Sequence, residues 1–397
     1  MPDVTGHASM NRRSFMKTSG VLLGALSLAP ALSGAFVRQV SAKEGIPTAM
    51  VTPSKDNPIR VQFNENALGM SPKAQEAAVK AIPMANRYPF NDVPKLRELV
   101  SAQHDVSENN ILFTPGSSDA IRACIAAYAI PETQFVAPDL TYADGVLYAS
   151  YYKLHMNQIP SDRNTWAMDL EGMKKAVAAY KGPSIVYLVN PNNPTSIVTP
   201  SDPIEKWIAS KPANTIFIVD EAYADYVMDT NYRTADALVK AGMDNVLVLR
   251  TFSKIHAMAG MRMGYLIATE DRVKHVMQYV EEDAMTISYP GVMAGIASIQ
   301  DKEFLSLSKK SNLLSRSIML DVLEELKLTC LPSQTNFLFH KINVPLGEYQ
   351  ESMRQRHIIV GRAFPPAEGW CRLTLGTPGE MEFVAKTMRE LRKKNLV

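Results

Sequence analysis

Three apolar runs in the middle of the chain decide the fold: SIVYLVN at residues 184–190, TIFIVD at 215–220 and NVLVLR at 245–250. Each is mainly Val, Ile and Leu without alternating polar residues, which is typical of strands buried on both faces of a parallel sheet. Helical segments separate these runs. Strands that alternate with helices predict an α/β fold with a mostly parallel sheet.

The same alternation extends outward from the three runs. It predicts a large domain at residues 86–295, with helices on both faces of the sheet. The further predicted strands are ILFT (111–114), QFVAP (134–138) and MGYLIAT (263–269). The predicted helices are AQEAAVKAI (74–82), KLRELVSAQH (95–104), GSSDAIRACIAAYAI (116–130) and YADGVLYASYY (142–152).

The pattern changes near residue 300. A long helix, SLSKKSNLLSRSIMLDVLEEL (306–326), is followed by shorter segments and then by a closing helix, EMEFVAKTMRELRKK (380–394). We predict a smaller α+β domain at residues 296–397, with residues 58–85 as its N-terminal segment. The short segments are TNFLFHKI (335–342), MRQRHIIV (353–360) and WCRLTLG (370–376).

Composition narrows the class of protein. The chain has 397 residues, 46% hydrophobic and 21% charged, as expected of a soluble globular protein with room for two domains. A net charge of +2 gives no field that favours nucleic acid as a partner. Three scattered cysteines do not form a disulfide framework, and the sequence has no CxxC or HExxH motif, so no metal site is predicted.

The N-terminus has the pattern of an export signal. NRRSFMK at residues 11–17 precedes the apolar run VLLGALSLAPALSGAF at 21–36, and small residues follow at 33–35 or 40–42. The paired Arg12 and Arg13 resemble a twin-arginine signal. We expect a signal peptide at residues 1–42, a linker at 43–57, and a protein exported already folded to the periplasm. An uncleaved anchor and a chance basic start are the alternatives.

Polar residues follow the predicted strands, at the edge of a parallel sheet where ligands gather. Gly116, Ser117 and Ser118 open a helix after ILFT, which suits either a phosphate or an ordinary helix cap. Asp220 ends a wholly apolar strand, where an anion is costly without a partner. Lys254 follows the next strand along the chain.

Taken together, these residues predict a pyridoxal 5′-phosphate site. That cofactor needs a lysine for its aldehyde, an anion for its ring nitrogen and donors for its phosphate. The other strand-end residues fit the same ligand. They are the aromatic Tyr142, the polar turn NPNNPTS (190–196), Tyr223, Ser253 and Arg262.

Residues 58–395 resemble the fold-type I pyridoxal-phosphate aminotransferases, in the histidinol-phosphate aminotransferase-like branch. The resemblance implies an aspartate aminotransferase-like fold with a seven-stranded sheet, a homodimer, and an amino acid and a 2-oxo acid as substrates. The motifs that carry it are FNEN (63–66), RYP (87–89), PGSSDAI (115–121), DLTY (139–142), NPNNPT (190–195), VDEAY (219–223), RTFSK (250–254), AGMRMG (259–264), TNF (335–337) and RLTLGT (372–377).

The resemblance also implies residue roles. Lys254 binds the cofactor aldehyde and moves the substrate proton, Asp220 holds the ring nitrogen, and Tyr223 with Asn193 binds the ring oxygen. Tyr142 stacks on the ring, and Tyr88 reaches the phosphate of the partner subunit. The implied phosphate ligands are Ser117, Ser118, Thr251, Ser253 and Arg262, and the implied substrate residues are Asn66, Asn336, Arg362 and Arg372.

Several positions depart from the family pattern. Ser196 stands where glycine is usual, and Ser118 replaces an acidic residue. His256 is either a core residue or a substrate contact. Gly361 occupies the position where relatives that bind histidinol phosphate have an arginine, and Arg362 comes one residue later. This shift, together with export, argues against histidinol phosphate as the substrate.

We therefore predict transamination, with a 2-oxo acid such as 2-oxoglutarate as acceptor. The donor is an aromatic or acidic amino acid, or an amino group on an exported metabolite such as a siderophore precursor. One alternative is a decarboxylase or lyase of the same fold, because the sequence cannot show which bond at the α-carbon breaks. Another is a binding or regulatory protein without turnover, which the complete set of cofactor residues argues against.

Overall fold

The structure is a computed structural model that describes residues 45–397. Its strands are β1 (Ile59–Val61), β2 (Ile111–Thr114), β3 (Gln134–Pro138), β4 (His155–Ile159), β5 (Ser184–Val189), β6 (Thr215–Asp220), β7 (Val246–Thr251), β8 (Gly264–Ile267), β9 (Phe337–Lys341), β10 (Ile358–Val360) and β11 (Trp370–Thr374). Its α-helices are α1 (Pro72–Ala81), α2 (Val93–His104), α3 (Ser117–Tyr128), α4 (Ala143–Tyr151), α5 (Leu170–Ala179), α6 (Ser201–Ala209), α7 (Asp236–Lys240), α8 (Glu270–Met277), α9 (Asp283–Thr286), α10 (Tyr289–Gln300), α11 (Lys302–Glu325), α12 (Leu346–Arg354) and α13 (Pro378–Lys393).

Strands β2 to β8 form one seven-stranded sheet in the order β2-β8-β7-β6-β5-β3-β4. The neighbours from β7 to β4 are all parallel, and β8 is antiparallel to both β7 and β2. The α/β fold with a mostly parallel sheet is therefore confirmed. Because Val189 pairs with Asp220 at the ends of β5 and β6, the carboxyl ends of these strands meet at one edge.

Each central strand lies between two apolar cores. In β6, Phe217 and Val219 join the core on one face of the sheet, whereas Ile216 and Ile218 join the core on the other. Every residue of β5, β6 and β7 is buried. Burial on both faces explains why these runs have no polar alternation.

A smaller lobe combines segments from both ends of the described chain. Strand β1 pairs in parallel with β10, and β9 pairs antiparallel with β11. Helices α11 and α13 pack in the core of this lobe through residues such as Met319, Leu323, Val384 and Met388. Lobe assembly therefore depends on contacts between residues about 300 positions apart, as in the pairing of Ile59 with Ile358.

Residues 46–51, which we call the N-terminal strap, pack on the start of α13. The amide of Gly379 donates a hydrogen bond of 3.0 Å to the carbonyl oxygen of Pro47. A Cβ atom added at Gly379 would lie 1.9 Å from the carbonyl oxygen of Ala49, so the contact requires glycine at this position. The strap thus fixes the first described residues to the last helix.

Two strands of the structure were not predicted. Strand β1 is only three residues long, and β4 (HMNQI) is a half-exposed edge strand without a Val or Ile run. The predicted signal peptide, residues 1–42, lies outside the described residues. Among residues 45–397, no helix combines the length and the apolar character that crossing a membrane would require.

Candidate active site

The predicted cofactor residues meet at the edge of the sheet where the parallel strands end. Asp220 is the last residue of β6, and Thr251 is the last residue of β7. The turn after β5 places Asn193 beside Tyr223, which follows the end of β6, and the turn after β2 leads into α3 at Ser117. This edge brings residues from four separate stretches of sequence into one site.

The start of α3 forms an anion cradle with Arg262. Gly116 precedes the helix with a φ of 82°, and it has no side chain to cap the first amide groups of α3. A Cβ atom at Gly116 would lie 2.3 Å from Nη2 of Arg262, so the guanidinium closely covers this turn. Free amide groups at a helix N-terminus and a guanidinium together suit a phosphate.

Gly264 makes the close approach of β8 to this cradle possible. A Cβ atom there would lie 2.4 Å from the backbone nitrogen of Ser117, so Gly264→Ala must shift the start of α3. We expect this variant to bind pyridoxal phosphate about tenfold more weakly, or worse, because overpacking forces backbone movement. Equilibrium titration of the apoprotein measures the effect. Gly347→Ala, where an added Cβ meets nothing within 4 Å, is the control, and equal affinity in both variants would contradict the assignment.

Asp220 is a buried carboxylate with two fixed donors. Its Oδ1 accepts a hydrogen bond of 3.1 Å from the amide of Ala222, and its Oδ2 accepts one of 3.2 Å from the hydroxyl of Tyr187. Burial raises the pKa of Asp220 to about 6, although the two donors and the charge of Lys254 oppose the shift. A cationic partner would complete the site, because a buried anion is costly alone.

A polar cluster surrounds the hydroxyl of Tyr223. That oxygen lies 3.0 Å from Nδ2 of Asn64 and 3.4 Å from Nδ2 of Asn193. Oδ1 of Asn193 in turn accepts a hydrogen bond of 2.8 Å from Arg372. The cluster joins strands of the large sheet to β11 of the smaller lobe.

Lys254 points into this cluster. Its Nζ donates to the carbonyl oxygen of Asn64 at 3.3 Å and lies 5.6 Å from the ring centroid of Tyr223. On the loop before it, the hydroxyl of Thr251 donates to that of Ser253 at 2.9 Å. The contacts with Asn64 and the Tyr223 ring therefore hold the amine near the predicted ring site.

Two arginines of the smaller lobe, Arg362 and Arg372, pack against the same aromatic ring. Cζ of Arg372 lies 4.8 Å from the ring centroid of Phe364, and Cζ of Arg362 lies 4.4 Å from it. Arg372 is buried, its Nη2 donates to the carbonyl oxygen of Gln62, and its Nε has no partner among the described residues. Burial lowers the pKa of Arg372. The pair is suited to anionic substrate groups.

Tyr142 stands at the N-terminus of α4, where Ser118 meets it. The two hydroxyl oxygens are 3.4 Å apart, and Ser118 donates a shorter bond of 2.6 Å to Oδ2 of Asp144. Burial raises the pKa of Tyr142. The hydroxyl of Ser118 is thus engaged by a carboxylate, so its contribution to the anion cradle is its backbone amide.

Other predicted residues lie around the cluster. The amide of Asn66 donates to the backbone oxygens of Lys254 and Ile255, and that of Asn336 donates to the backbone oxygen of Asn64. Both therefore support the loops that carry the site. His256 is buried, and its Nδ1 lies 2.8 Å from the hydroxyl of Ser298, which is a core position.

Ser196 and Tyr88 have distinctive settings. Ser196 has a φ of 64°, in the left-handed region that favours glycine, and its hydroxyl donates to the backbone oxygen of Thr195. Tyr88 is 59% exposed and packs edge-on against Phe90 at 5.9 Å. Its place in the single chain is therefore outside the polar cluster.

Several residues of the site were not predicted from sequence. Asn64 lies in the motif FNEN, in which only Asn66 is predicted as a site residue. Tyr187 is predicted only as part of a strand. Arg250 is buried and pairs with Glu221 at 3.3 Å and with Asp225 at 3.0 Å. Because these partners flank Asp220 and Tyr223, Arg250 ties the end of β6 to the end of β7.

Pyridoxal phosphate fits this arrangement. The anion cradle matches its phosphate, and the buried carboxylate of Asp220 matches its ring nitrogen. The buried, unpartnered Nε of Arg372 is open to an acceptor that the described chain does not provide. The donors around Tyr223 match the ring oxygen.

Comparison with known proteins is consistent with a site for pyridoxal phosphate. A model of the family "Aminotransferase class I and II" matches residues 57–388. Histidinol-phosphate aminotransferases of Moorella thermoacetica and Bradyrhizobium diazoefficiens are 28% and 30% identical, over 92% and 85% of this chain and 91% and 94% of theirs. A crystal structure of a candidate histidinol-phosphate aminotransferase from Erwinia carotovora atroseptica is 53% identical, with a TM-score of 0.86 over 88% of this chain and all of its own.

Proposed function

The chain belongs to the class I and class II aminotransferases, and we propose on that premise that the residues at its sheet edge catalyse amino transfer from an acidic amino acid to a 2-oxo acid. The protein is a pyridoxal-phosphate-dependent aminotransferase. The observation that carries the residue assignment is the cluster around Tyr223, where Lys254 lies near the ring and Arg372 is linked to the hydroxyl through Asn193. 2-Oxoglutarate is the proposed acceptor.

Each residue has a task that its position supports. Pyridoxal phosphate supplies an aldehyde that captures amines and a ring that accepts electrons. Nζ of Lys254 would hold the cofactor through that aldehyde and, when a substrate amine takes its place, the freed amine would carry a proton between the substrate α-carbon and the aldehyde carbon. Asp220 would keep the ring nitrogen protonated, and Tyr223 with Asn193 would orient the ring oxygen.

The remaining cofactor residues hold its phosphate and its ring. Arg262 and the first amides of α3 bind the phosphate, supported by the hydroxyls of Thr251 and Ser253. Tyr142 covers the ring from the start of α4. Arg372 binds the substrate carboxylate, which gives its buried Nε an acceptor.

We propose that Arg362 binds a second anionic group on the substrate. It is exposed and lies on the same ring as Arg372, so a donor with two anionic groups can reach both. We expect Arg362→Gln to raise KM for glutamate about fivefold, with kcat nearly unchanged, because an exposed charge pair is weak. KM for phenylalanine should not change. Arg354→Gln, on the exposed face of α12, is the control, and an equal effect on both donors would contradict the role.

A panel of amino donors tests the activity itself. The mature protein is incubated with pyridoxal phosphate, 2-oxoglutarate and each donor, including glutamate, phenylalanine and histidinol phosphate, and the keto products are measured. No half-reaction with any donor would exclude the proposal. Release of carbon dioxide or ammonia without an acceptor would instead indicate a decarboxylase or lyase.

We also propose a homodimer with shared active sites. Exposed apolar side chains cluster between residues 79 and 90, including Ile82 at 60% and Met84 at 46% exposure. A second copy would cover this surface and bring the exposed Tyr88 to the partner's phosphate site. Sedimentation equilibrium that finds only monomers at micromolar concentration would refute it.

Export to the periplasm by the twin-arginine route is the proposed location. The motif NRRSFMK and the apolar run after it support a leader at residues 1–42. Processing after residue 35 or 42 would leave the N-terminal strap intact. Fractionation of cells checks the proposal, with Arg12→Lys/Arg13→Lys as the export-deficient variant. Equal cytoplasmic retention of both proteins would contradict it. A periplasmic enzyme could act on an exported metabolite.

A further inference from the structure

The carboxylate of Asp220 is aimed by a side chain that lies on the neighbouring strand. Tyr187 is fully buried on β5, which runs parallel to β6. It pairs with Ile218 in the register of the sheet, so its long side chain reaches two residues further along to Asp220. The bond between its hydroxyl and Oδ2 measures 3.2 Å.

The ring of Tyr187 packs closely against two neighbours. Phe135 on β3 packs against it with centroids 5.9 Å apart. Gly145 of α4 leaves room for the ring: an added Cβ would lie 2.5 Å from Cε1 and 2.9 Å from Cζ. No side chain at position 145 is therefore compatible with this placement of Tyr187 and α4.

We propose that Tyr187 is a positioning residue that holds the Asp220 carboxylate ionised and oriented toward the cofactor ring nitrogen, and that Gly145 is the residue that admits it. The proposal rests on the proposed role of Asp220. Since the amide of Ala222 holds the other oxygen, the two donors together fix the plane of the carboxylate. The lone pairs that they leave free are available to a cation.

Charges around Asp220 set the pH at which this arrangement works. Burial raises its pKa to about 6; the Ala222 amide, Tyr187 hydroxyl and Lys254 charge lower it, and Asp144 on α4 raises it. An ionised Asp220 is present above this pKa and is lost as pH falls through it. Removing the Tyr187 hydroxyl moves that loss to higher pH, since a donor to the anion disappears.

Tyr187→Phe tests the proposal with pyridoxal phosphate as the ligand. We expect its dissociation constant at pH 7 to rise about tenfold, as for a lost hydrogen bond to a charged group. We also expect the pH below which affinity falls to move upward. Gly145→Ala should shift both quantities in the same direction, because it displaces the ring of Tyr187. This variant provides the same test if Tyr187→Phe does not fold.

The matched control is Tyr349→Phe. That tyrosine is also fully buried, but its hydroxyl has no hydrogen-bond partner among the described residues. It should leave cofactor affinity and its pH profile unchanged. Thermal unfolding of each apoprotein separates loss of the fold from loss of the ligand.

The results distinguish this inference from the proposed function. If Asp220→Asn weakens binding but Tyr187→Phe and Gly145→Ala behave like the wild type, the inference is overturned and the proposed function stands. A loss of cofactor affinity in Tyr187→Phe that is equal at every pH also overturns the inference, because a purely structural effect would not depend on the ionisation of Asp220. If Asp220→Asn has no effect, the role of Asp220 fails and the inference fails with it.

Discussion

Replacing Lys254 with alanine should lower the turnover number by about 10⁴-fold, because one amine supplies both the covalent link and the proton transfer. Its Nζ is the amine that lies 5.6 Å from the ring centroid of Tyr223. The variant should still bind pyridoxal phosphate, since the phosphate cradle and Asp220 remain. Its visible absorption should be that of the free aldehyde.

Two measurements complete the test of Lys254. Borohydride reduction followed by peptide mass analysis should find a pyridoxyl group on this residue in the wild type. Lys240→Ala, at an exposed lysine that pairs with Asp105, is the control and should keep full activity. A Lys254→Ala protein with more than a few per cent of wild-type turnover would rule out the assignment.

The second large effect is expected for Asp220→Asn. The amide has nearly the same shape but no charge, so it cannot hold a protonated ring nitrogen. Breaking a buried charge pair costs about 3–5 kcal/mol, so kcat/KM should fall on the order of 10²- to 10⁴-fold. Steady-state kinetics with glutamate and 2-oxoglutarate measure this change.

The pH dependence provides a separate check on Asp220. In the wild type, affinity for pyridoxal phosphate should fall below about pH 6, because burial raises the pKa of Asp220 to about 6 and its protonated form is neutral. The Asp220→Asn variant should lack this dependence after allowance for the cofactor's own titration. Asp202→Asn, at a surface carboxylate paired with Arg233, should behave like the wild type. An unchanged profile in Asp220→Asn would exclude the role.

The central sheet could be predicted because its strands are unusual in composition. Runs such as TIFIVD are buried on both faces of the sheet, so every position is apolar or at the strand end. A short continuous run of Val and Ile is typical of such a strand. Strand β4 (HMNQI) lies at the sheet edge, half exposed, and its sequence resembles a loop. Strand β1 has three residues, and it is a strand only because β10 lies beside it.

A role could be predicted from the sequence where it depends on one residue type at the end of a strand, as for Lys254 and Asp220. Contacts between residues that are far apart in the sequence could not be predicted from it. The motif FNEN offers two asparagines, and only the fold shows that Asn64 meets Tyr223, which is 159 positions away, while Asn66 faces the main chain of Lys254.

The pairing of β1 with β10 has a consequence for biosynthesis. Strand β1 leaves the ribosome long before β10 and must wait until residue 360 has been translated before it finds its neighbour. Until then its apolar residues, such as Val61, lack their lobe core. Nascent chains stalled before this point should need chaperone protection, and a nonsense codon before position 358 would leave β1 without its neighbour.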